Sequence, residues 1–275
     1  MRRVTSITKG MPASDGAGVN MTRVIGTAAL DQLDPFLLFD VFESDDPGDY
    51  IAGFPAHPHR GFETVTYMFA GQMRHQDSAG NEGVIRPGGV QWMTAGRGII
   101  HSEMPEQEGG LMWGTQLWVN LPREDKMVAP AYQKLDADSI AAEHHADGVE
   151  VRVVAGTTNA GTVGAVTGRP TEPIYLDVRL PPQTGFEQAI PESHNAFVFV
   201  VEGTLQIDDA RVAARSVAIL GHGSGFAAAA PEDGCRFLLI AGKSIGEPIA
   251  RAGPFVMNTA DELKQAFEDY RSGRF

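Results

Sequence analysis

Four side chains in this 275-residue sequence could do chemistry together: His57 with His59, and His101 with Glu103, each pair having one residue between its members. In a β-strand, residues i and i+2 project from the same face, so each pair can aim both side chains at one point. If the two strands lie side by side, three imidazoles and one carboxylate converge on a single centre. Three nitrogens and one hard oxygen suit iron(II) or manganese(II), with zinc, copper, nickel and cobalt also open; an oxygen-only calcium or magnesium site is disfavoured. Four protein ligands on an ion that prefers six leave two positions for a substrate or dioxygen. Glu103 is also placed to take a substrate proton. A lone histidine or glutamate is ordinarily structural, but burying three imidazoles and a carboxylate together without a cation is costly, and it is this pairing that points to a metal.

The elements that must position these groups are read from the stretch between them. It holds a β-rich run at residues 64–69, a Gly/Asn/Asp/Ser tract at 77–83 and an apolar run at 90–93, a pattern that folds back as antiparallel strands joined by turns. His75 and Asp77 lie on the strand leaving the first motif, either bonded to a ligand or relaying a proton, or else ending the strand in solvent. Phe54, Met93 and Gln116 are candidates for the pocket wall, although residues of their kind, like Met73, Trp92 and Trp118, are more often core. Arg60 and Arg97 flank the ligands and read as salt-bridging residues rather than substrate clamps. His144, His145, His194 and His222 have no partner at ligand spacing and read as structural or solvated. Cys235, the single cysteine, precedes an apolar strand and reads as a packed, inert thiol. No glycine-rich stretch opens a helix with a phosphate-binding lysine, so nucleotide binding is unsupported.

Lys and Arg number 22 against 35 Asp and Glu, a formal charge of −13 without any basic run. Direct nucleic-acid binding is therefore disfavoured, and membrane-surface binding with it. No apolar run reaches the ~18 residues that would span a bilayer, and the expectation is a soluble, cytoplasmic protein.

The 32 glycines and 17 prolines punctuate short β-rich runs, which argues an all-β protein. The runs form two series, giving an N-terminal domain at 1–134, a linker with a short helix at 135–147, and a C-terminal domain at 148–275. Asn258 or Thr259 can cap a last helix in which Leu263, Ala266, Phe267 and Tyr270 recur at helical spacing, with Asp261 and Glu262 in its first turn and Ser272 and Gly273 ending it. Residues 67–73 resemble 199–205, and 90–98 resemble 217–225, as in two similar barrels. Carried across those offsets, His57 and His59 fall on Ala189 and Pro191, and His101 and Glu103 on Ala228 and Ala230. The second copy has no ligands.

HPHRGFETV at 57–65, QWMTAGRGIIHSEMP at 91–105, QLWVNL at 116–121, GPFVMNT at 253–259 and DPFLLFD at 34–40 together resemble the pirin family of the cupin superfamily. The resemblance covers most of the chain and implies a bicupin: two β-barrels with a C-terminal helix and one mononuclear metal, usually iron, in the N-terminal barrel. It implies that the ion is held by His57, His59, His101 and Glu103, and that Glu63, which stands where many other cupins place a glutamate ligand, surrounds the site instead. Two functions follow from the resemblance. One is an iron-dependent dioxygenase that opens quercetin or a related flavonol with dioxygen; the other is a redox-sensing regulator that binds a transcription factor or metabolic enzyme. Fold alone does not choose between them.

Overall fold

In a computed structural model that describes residues 1–275, the regular structure is almost entirely antiparallel strand, and Ala260–Arg271 is the one α-helix. None of its helices is long and apolar enough to cross a membrane. The chain divides into two units, Met1–Gly10 with Asp138–Ser244, and Met11–Ala137 with Ile245–Phe275. The expectation of two contiguous halves is thereby corrected at both termini. Strand Val4–Thr8 pairs with Ser216–Leu220 and so joins the later unit. The last helix stands with the earlier one, because its rings pack on Phe255, and Phe255 bridges to Arg60. Residues 135–147 hold no α-helix either. They form a 3-10 turn, Ala137–Ser139, and a strand, Ala141–His144, paired with Glu150–Ala155.

The unit containing residues 138–244 is built on a ten-stranded sheet system. Its interior is filled by Phe186, Phe226, Phe237, Val198, Val200 and Leu205, all buried. Ala189 and Ala228, where the repeat places ligand equivalents, lie on the paired strands Gly185–Ala189 and Gly225–Ala229. No metal-ligating cluster forms there. Cys235 is buried beside this core, and burial pushes its thiol up to about 12, so it is not a nucleophile at neutral pH. The repeat is visible in the pairing: Phe62–Ala70 lies between Val90–Thr94 and Met112–Asn120, as His194–Ile207 lies between Ser216–Leu220 and Cys235–Lys243. Both central strands reach a left-handed glycine at matching points, Gly71 at φ 77° and Gly203 at φ 75°.

The other unit has a seven-stranded sheet, Ala131–Leu135, Val90–Thr94, Phe62–Ala70, Met112–Asn120, Phe36–Ser44, Val19–Ile25 and Met11–Asp15 in spatial order, and a four-stranded one, Phe54–His59, Ile99–Pro105, Met73–Asp77 and Glu82–Ile85. Both sheets contribute walls to one cavity of about 620 Å³. Strand alternation decides what reaches it. Along Phe62–Ala70, Thr66 faces the cavity, whereas Glu63 is on the opposite face and accepts a hydrogen bond from Thr94 Oγ1 at 2.6 Å.

The segment after His59 is fixed by the C-terminal region. Gly61 has φ 89°, and a Cβ there would lie 2.0 Å from the Val256 carbonyl, so only glycine permits this approach. Lys126 Nζ donates to the Gly61 and Val256 carbonyls and to Asn120 Oδ1 at 2.7–3.0 Å, and burial lowers its pKa to about 8. The helix is capped by Thr259, whose side chain accepts from the Glu262 amide while Glu262 accepts from the Thr259 amide. Arg60 Nη1 donates to Asp269 Oδ2 at 2.8 Å and its guanidinium lies 4.5 Å over the Phe275 ring. The bond from Arg60, with another from Gln265, pulls Asp269 down to about 2.

Because that pKa is depressed on folding, the stabilisation it carries is present above pH ~4 and lost as pH falls towards ~2. Asp269→Asn, which leaves the buried Arg60 guanidinium without its carboxylate, is expected to lower the melting temperature by a few degrees at pH 7, with the gap to the parent closing below pH 4. Thermal unfolding monitored by circular dichroism across that pH range checks this.

Candidate metal centre

The two ligand pairs sit on adjacent strands. Phe54–His59 pairs antiparallel with Ile99–Pro105, which sets His57 directly opposite His101 and His59 opposite Ile99, with a bulge between His101 and Glu103. On its other edge Ile99–Pro105 pairs with Met73–Asp77, placing Asp77 opposite His101 and His75 opposite Glu103. The result is a ring cluster. Imidazole centroids lie 4.7 Å apart for His57 and His59, 4.4 Å for His57 and His101, and 4.9 Å for His59 and His101.

Hydrogen bonds on the far nitrogens orient these rings. A carbonyl can only accept, so His57 Nδ1 donates to the Pro55 carbonyl at 2.8 Å and His59 Nδ1 to the Pro254 carbonyl at 3.4 Å. Both Nε2 atoms are then bare lone pairs, yet they stand 3.1 Å apart. His101 Nε2 is buried with no hydrogen-bond partner. Burial, with the neighbouring imidazoles adding to it, pushes the pKa of His59 and of His101 well below the ordinary imidazole value. Neutral imidazoles with converging lone pairs repel one another, and a buried acceptor without a donor carries a desolvation cost. A divalent cation removes both penalties. The potential ligand atoms of His57, His59 and His101 lie within 4.8 Å of one another, so the residues present fit a metal ion.

Glu103 is brought to the same strand edge but not into that triad. Its carboxylate groups with His101 and His75, and it accepts hydrogen bonds from Thr66 Oγ1 at 2.9 Å, Gln91 Nε2 at 3.3 Å and Gln116 Nε2 at 3.2 Å. Of the other expected residues, Phe54, Met73, Gln116 and Trp118 line the cavity. His75 is fully buried beneath His101, its Nδ1 lying 3.5 Å from His101 Nδ1, and Asp77 accepts from its Nε2 at 3.0 Å. Burial works to raise the Asp77 pKa, but the bonds from His75 and Asn81 outweigh it and hold the carboxyl below its usual range.

Met93 and Glu63 are corrections. Met93 packs with Ala95 and Ile99 in the core and does not line the cavity, while Glu63 faces away for the parity reason given above. Arg60 is structural, as expected, and Arg97 supplies the carbonyl that accepts from Arg60 Nε. His144 and His145 pair with Glu150 and Glu143, and His194 bonds the Glu172 carbonyl; like His222, none joins a ligand cluster.

Several contributors were not singled out from sequence. Thr66 and Gln91 lie directly opposite each other in the sheet, on the face turned to Glu103; strand parity could have found Thr66. Arg23, Asp40, Arg251 and Pro254 reach the cavity from remote segments, and no local pattern ties them to it.

Residues 18–119 match the family model described as Pirin, and residues 175–275 that of the Pirin C-terminal cupin domain. A pirin-like protein of Caulobacter vibrioides is 51% identical over 100% of this chain and 99% of its own length. The chain belongs to the pirin family. A second pirin relative, from Pseudomonas aeruginosa and named "Putative quercetin 2,3-dioxygenase", is 48% identical over 99% of this chain and 97% of its own. Among solved structures, quercetin 2,3-dioxygenase from Acinetobacter baumannii superposes with a TM-score of 0.90 at 35% identity, covering 100% of this chain and 98% of that one. This pirin is thus a bicupin, with two cupin domains and a single C-terminal helix, and its His/Glu group can bind a metal.

If the Nε2 triad is the metal centre, the chain binds one divalent ion, and His101→Ala lowers its affinity for nickel(II) by more than ~100-fold, beyond the loss typical of an outer partner. Titration calorimetry measures this. The far-ultraviolet circular dichroism of the variant is expected to match the parent, because apolar clusters flank the site.

Proposed function

We propose that this pirin is a metal-dependent dioxygenase that opens a flavonol such as quercetin, or a related enolisable aromatic. The observation that carries the reading is the position of His57, His59 and Glu103 at the wall of a cavity of about 620 Å³, with His101 directly behind His57, within the ~300–1,000 Å³ range of small-molecule sites. The 35% identity with the quercetin 2,3-dioxygenase of A. baumannii supports the same substrate class. His57, His59, His101 and Glu103 would hold the ion; three nitrogens with one carboxylate suit iron(II) or manganese(II), and the family resemblance implies iron.

When bound, the metal would supply Lewis acidity towards a substrate oxygen. The rest is the work of the chain. Phe42, Phe54, Met73 and Trp118 give the cavity an apolar wall that suits a flat aromatic and displaces water. Glu103 is the base: its carboxylate takes the proton of the substrate hydroxyl, and Thr66, Gln91 and Gln116 hold it in place through neutral donors. These donors fix the orientation of the carboxylate. Thr66 Oγ1 also stands 2.5 Å from Gln116 Oε1, so its single proton is shared between that oxygen and Glu103 Oε1. A small aromatic and dioxygen are the partners this site requires.

Iron-loaded protein mixed with quercetin under anaerobic conditions and then exposed to oxygen is expected to bleach the flavonol band and release carbon monoxide, one per flavonol consumed. Glu103→Gln should still bind the flavonol but turn it over roughly 10²–10⁴-fold more slowly, the usual contribution of a positioned base. Iron-loaded protein that leaves the flavonol intact rejects the activity.

A further inference from the structure

Behind the triad runs a second line of hydrogen bonds that no step above uses. Asp77 and His75 are both fully buried at their side chains. Asp77 Oδ1 is held by the backbone amides of Ala79 and Asn81 at 2.9 and 3.0 Å, and Oδ2 by the Asn81 amide group and His75 Nε2 at 2.9 and 3.0 Å. The tight turn that supplies those amides contains Gly80 at φ 88°. His75 is clamped from the side by Tyr132, whose ring stacks on it at 4.6 Å and 19°. Gly83, opposite His75 in the hairpin, makes room for that ring, since a Cβ there would lie 2.8 Å from the phenol oxygen.

We infer that Asp77 and His75 are positioning residues that set the tautomer of His101, so that its Nε2 lone pair is aimed at the metal. The inference rests on the metal-site reading above and follows from donor and acceptor counting. A carboxylate accepts, so His75 carries its proton on Nε2 and presents a lone pair at Nδ1. That lone pair faces His101 Nδ1 at 3.5 Å, so the His101 proton must sit on Nδ1. His101 Nε2 is left bare on the side of His57 and His59. For these two rings a backbone carbonyl does the same job. His101 stands on the central strand of the four-stranded sheet, where the backbone carbonyls are engaged by both neighbours, and a side-chain relay takes the carbonyl's place.

Asp77→Asn tests this, because the turn decides how the new amide must lie. Its oxygen stays with the amides of Ala79 and Asn81, so its NH₂ faces His75 Nε2 and the Asn81 side-chain amide, which turns its oxygen towards it. His75 must then accept there and carry its proton on Nδ1, which forces the His101 proton onto Nε2, in the path of the ion. The measurements are ¹⁵N NMR of the imidazoles in metal-free full-length protein and calorimetric titration with nickel(II). The parent is expected to show His101 protonated on Nδ1. Asp77→Asn is expected to show protonation on Nε2 and a ~10–100-fold loss of nickel affinity, the size typical of an outer partner. His75→Phe keeps a ring on Tyr132 but removes the acceptor, and is expected to show both His101 tautomers with an intermediate affinity.

A parent protein with His101 protonated on Nε2 overturns the inference without recourse to any variant. So does a folded Asp77→Asn or His75→Phe protein with the parental tautomer and affinity. A parent that takes up no nickel removes the metal-site reading itself, a result distinct from a parent that binds nickel as tightly as its variants.

Discussion

The opposition of imidazole lone pairs, one ring half-buried and two buried, is the constraint on which the site depends. His57 and His59 meet at 3.1 Å through nitrogens that are both acceptors, and His101 Nε2 is buried beside them without a donor. Side chains free to choose would turn away. They stay because the backbone leaves them no alternative: the register of Phe54–His59 against Ile99–Pro105 places His57 opposite His101, and i, i+2 spacing turns His59 to the same face. A cation converts this opposition into three bonds, which is why the geometry reads as a metal centre rather than a strained core.

That register is maintained by groups distant in the chain. His59 leans on the Pro254 carbonyl, and the Arg60 beside it is held by Asp269 and Phe275. Lys126 gathers the carbonyls of Gly61 and Val256, so the segment leaving the ligand strand is anchored on both sides. The last thirty or so residues therefore support the histidine-bearing strand without adding a residue to the cluster. The second unit of the chain shows what the same strand pattern becomes when the ligands are replaced: Ala189 and Ala228 stand on the matching strand pair, and phenylalanines and valines fill the interior.

Much of this was legible in the sequence, because period-two patterning and short motifs act locally. The strands that carry the His/Glu pairs, the helix starting near Asn258 and Thr259 and the burial of Cys235 all follow from residues near one another in the chain. What was not legible depends on long-range pairing. The exchange of termini between units comes from Val4–Thr8 pairing with Ser216–Leu220 and from Phe255 seating the helix, neither of which has a local signature. The match of Glu63 to a cupin glutamate position puts it around the site and Met93 is a candidate for the pocket wall, yet strand parity turns Glu63 to the opposite face, and Met93 is taken by Ala95 and Ile99. Gln91 lay hidden in an apolar run, because its role exists only through Glu103 across the sheet gap.

We propose that three Nε2 atoms and the Glu103 carboxylate share one ion in the unit that carries strands Phe54–His59 and Ile99–Pro105. Anomalous diffraction at the iron edge from crystals loaded with iron(II) tests it most directly. A single peak within bonding distance of His57, His59 and His101 Nε2 and of a Glu103 oxygen, with none in the other unit, is the predicted result. A peak elsewhere, or none while the three imidazoles keep their places, would contradict it.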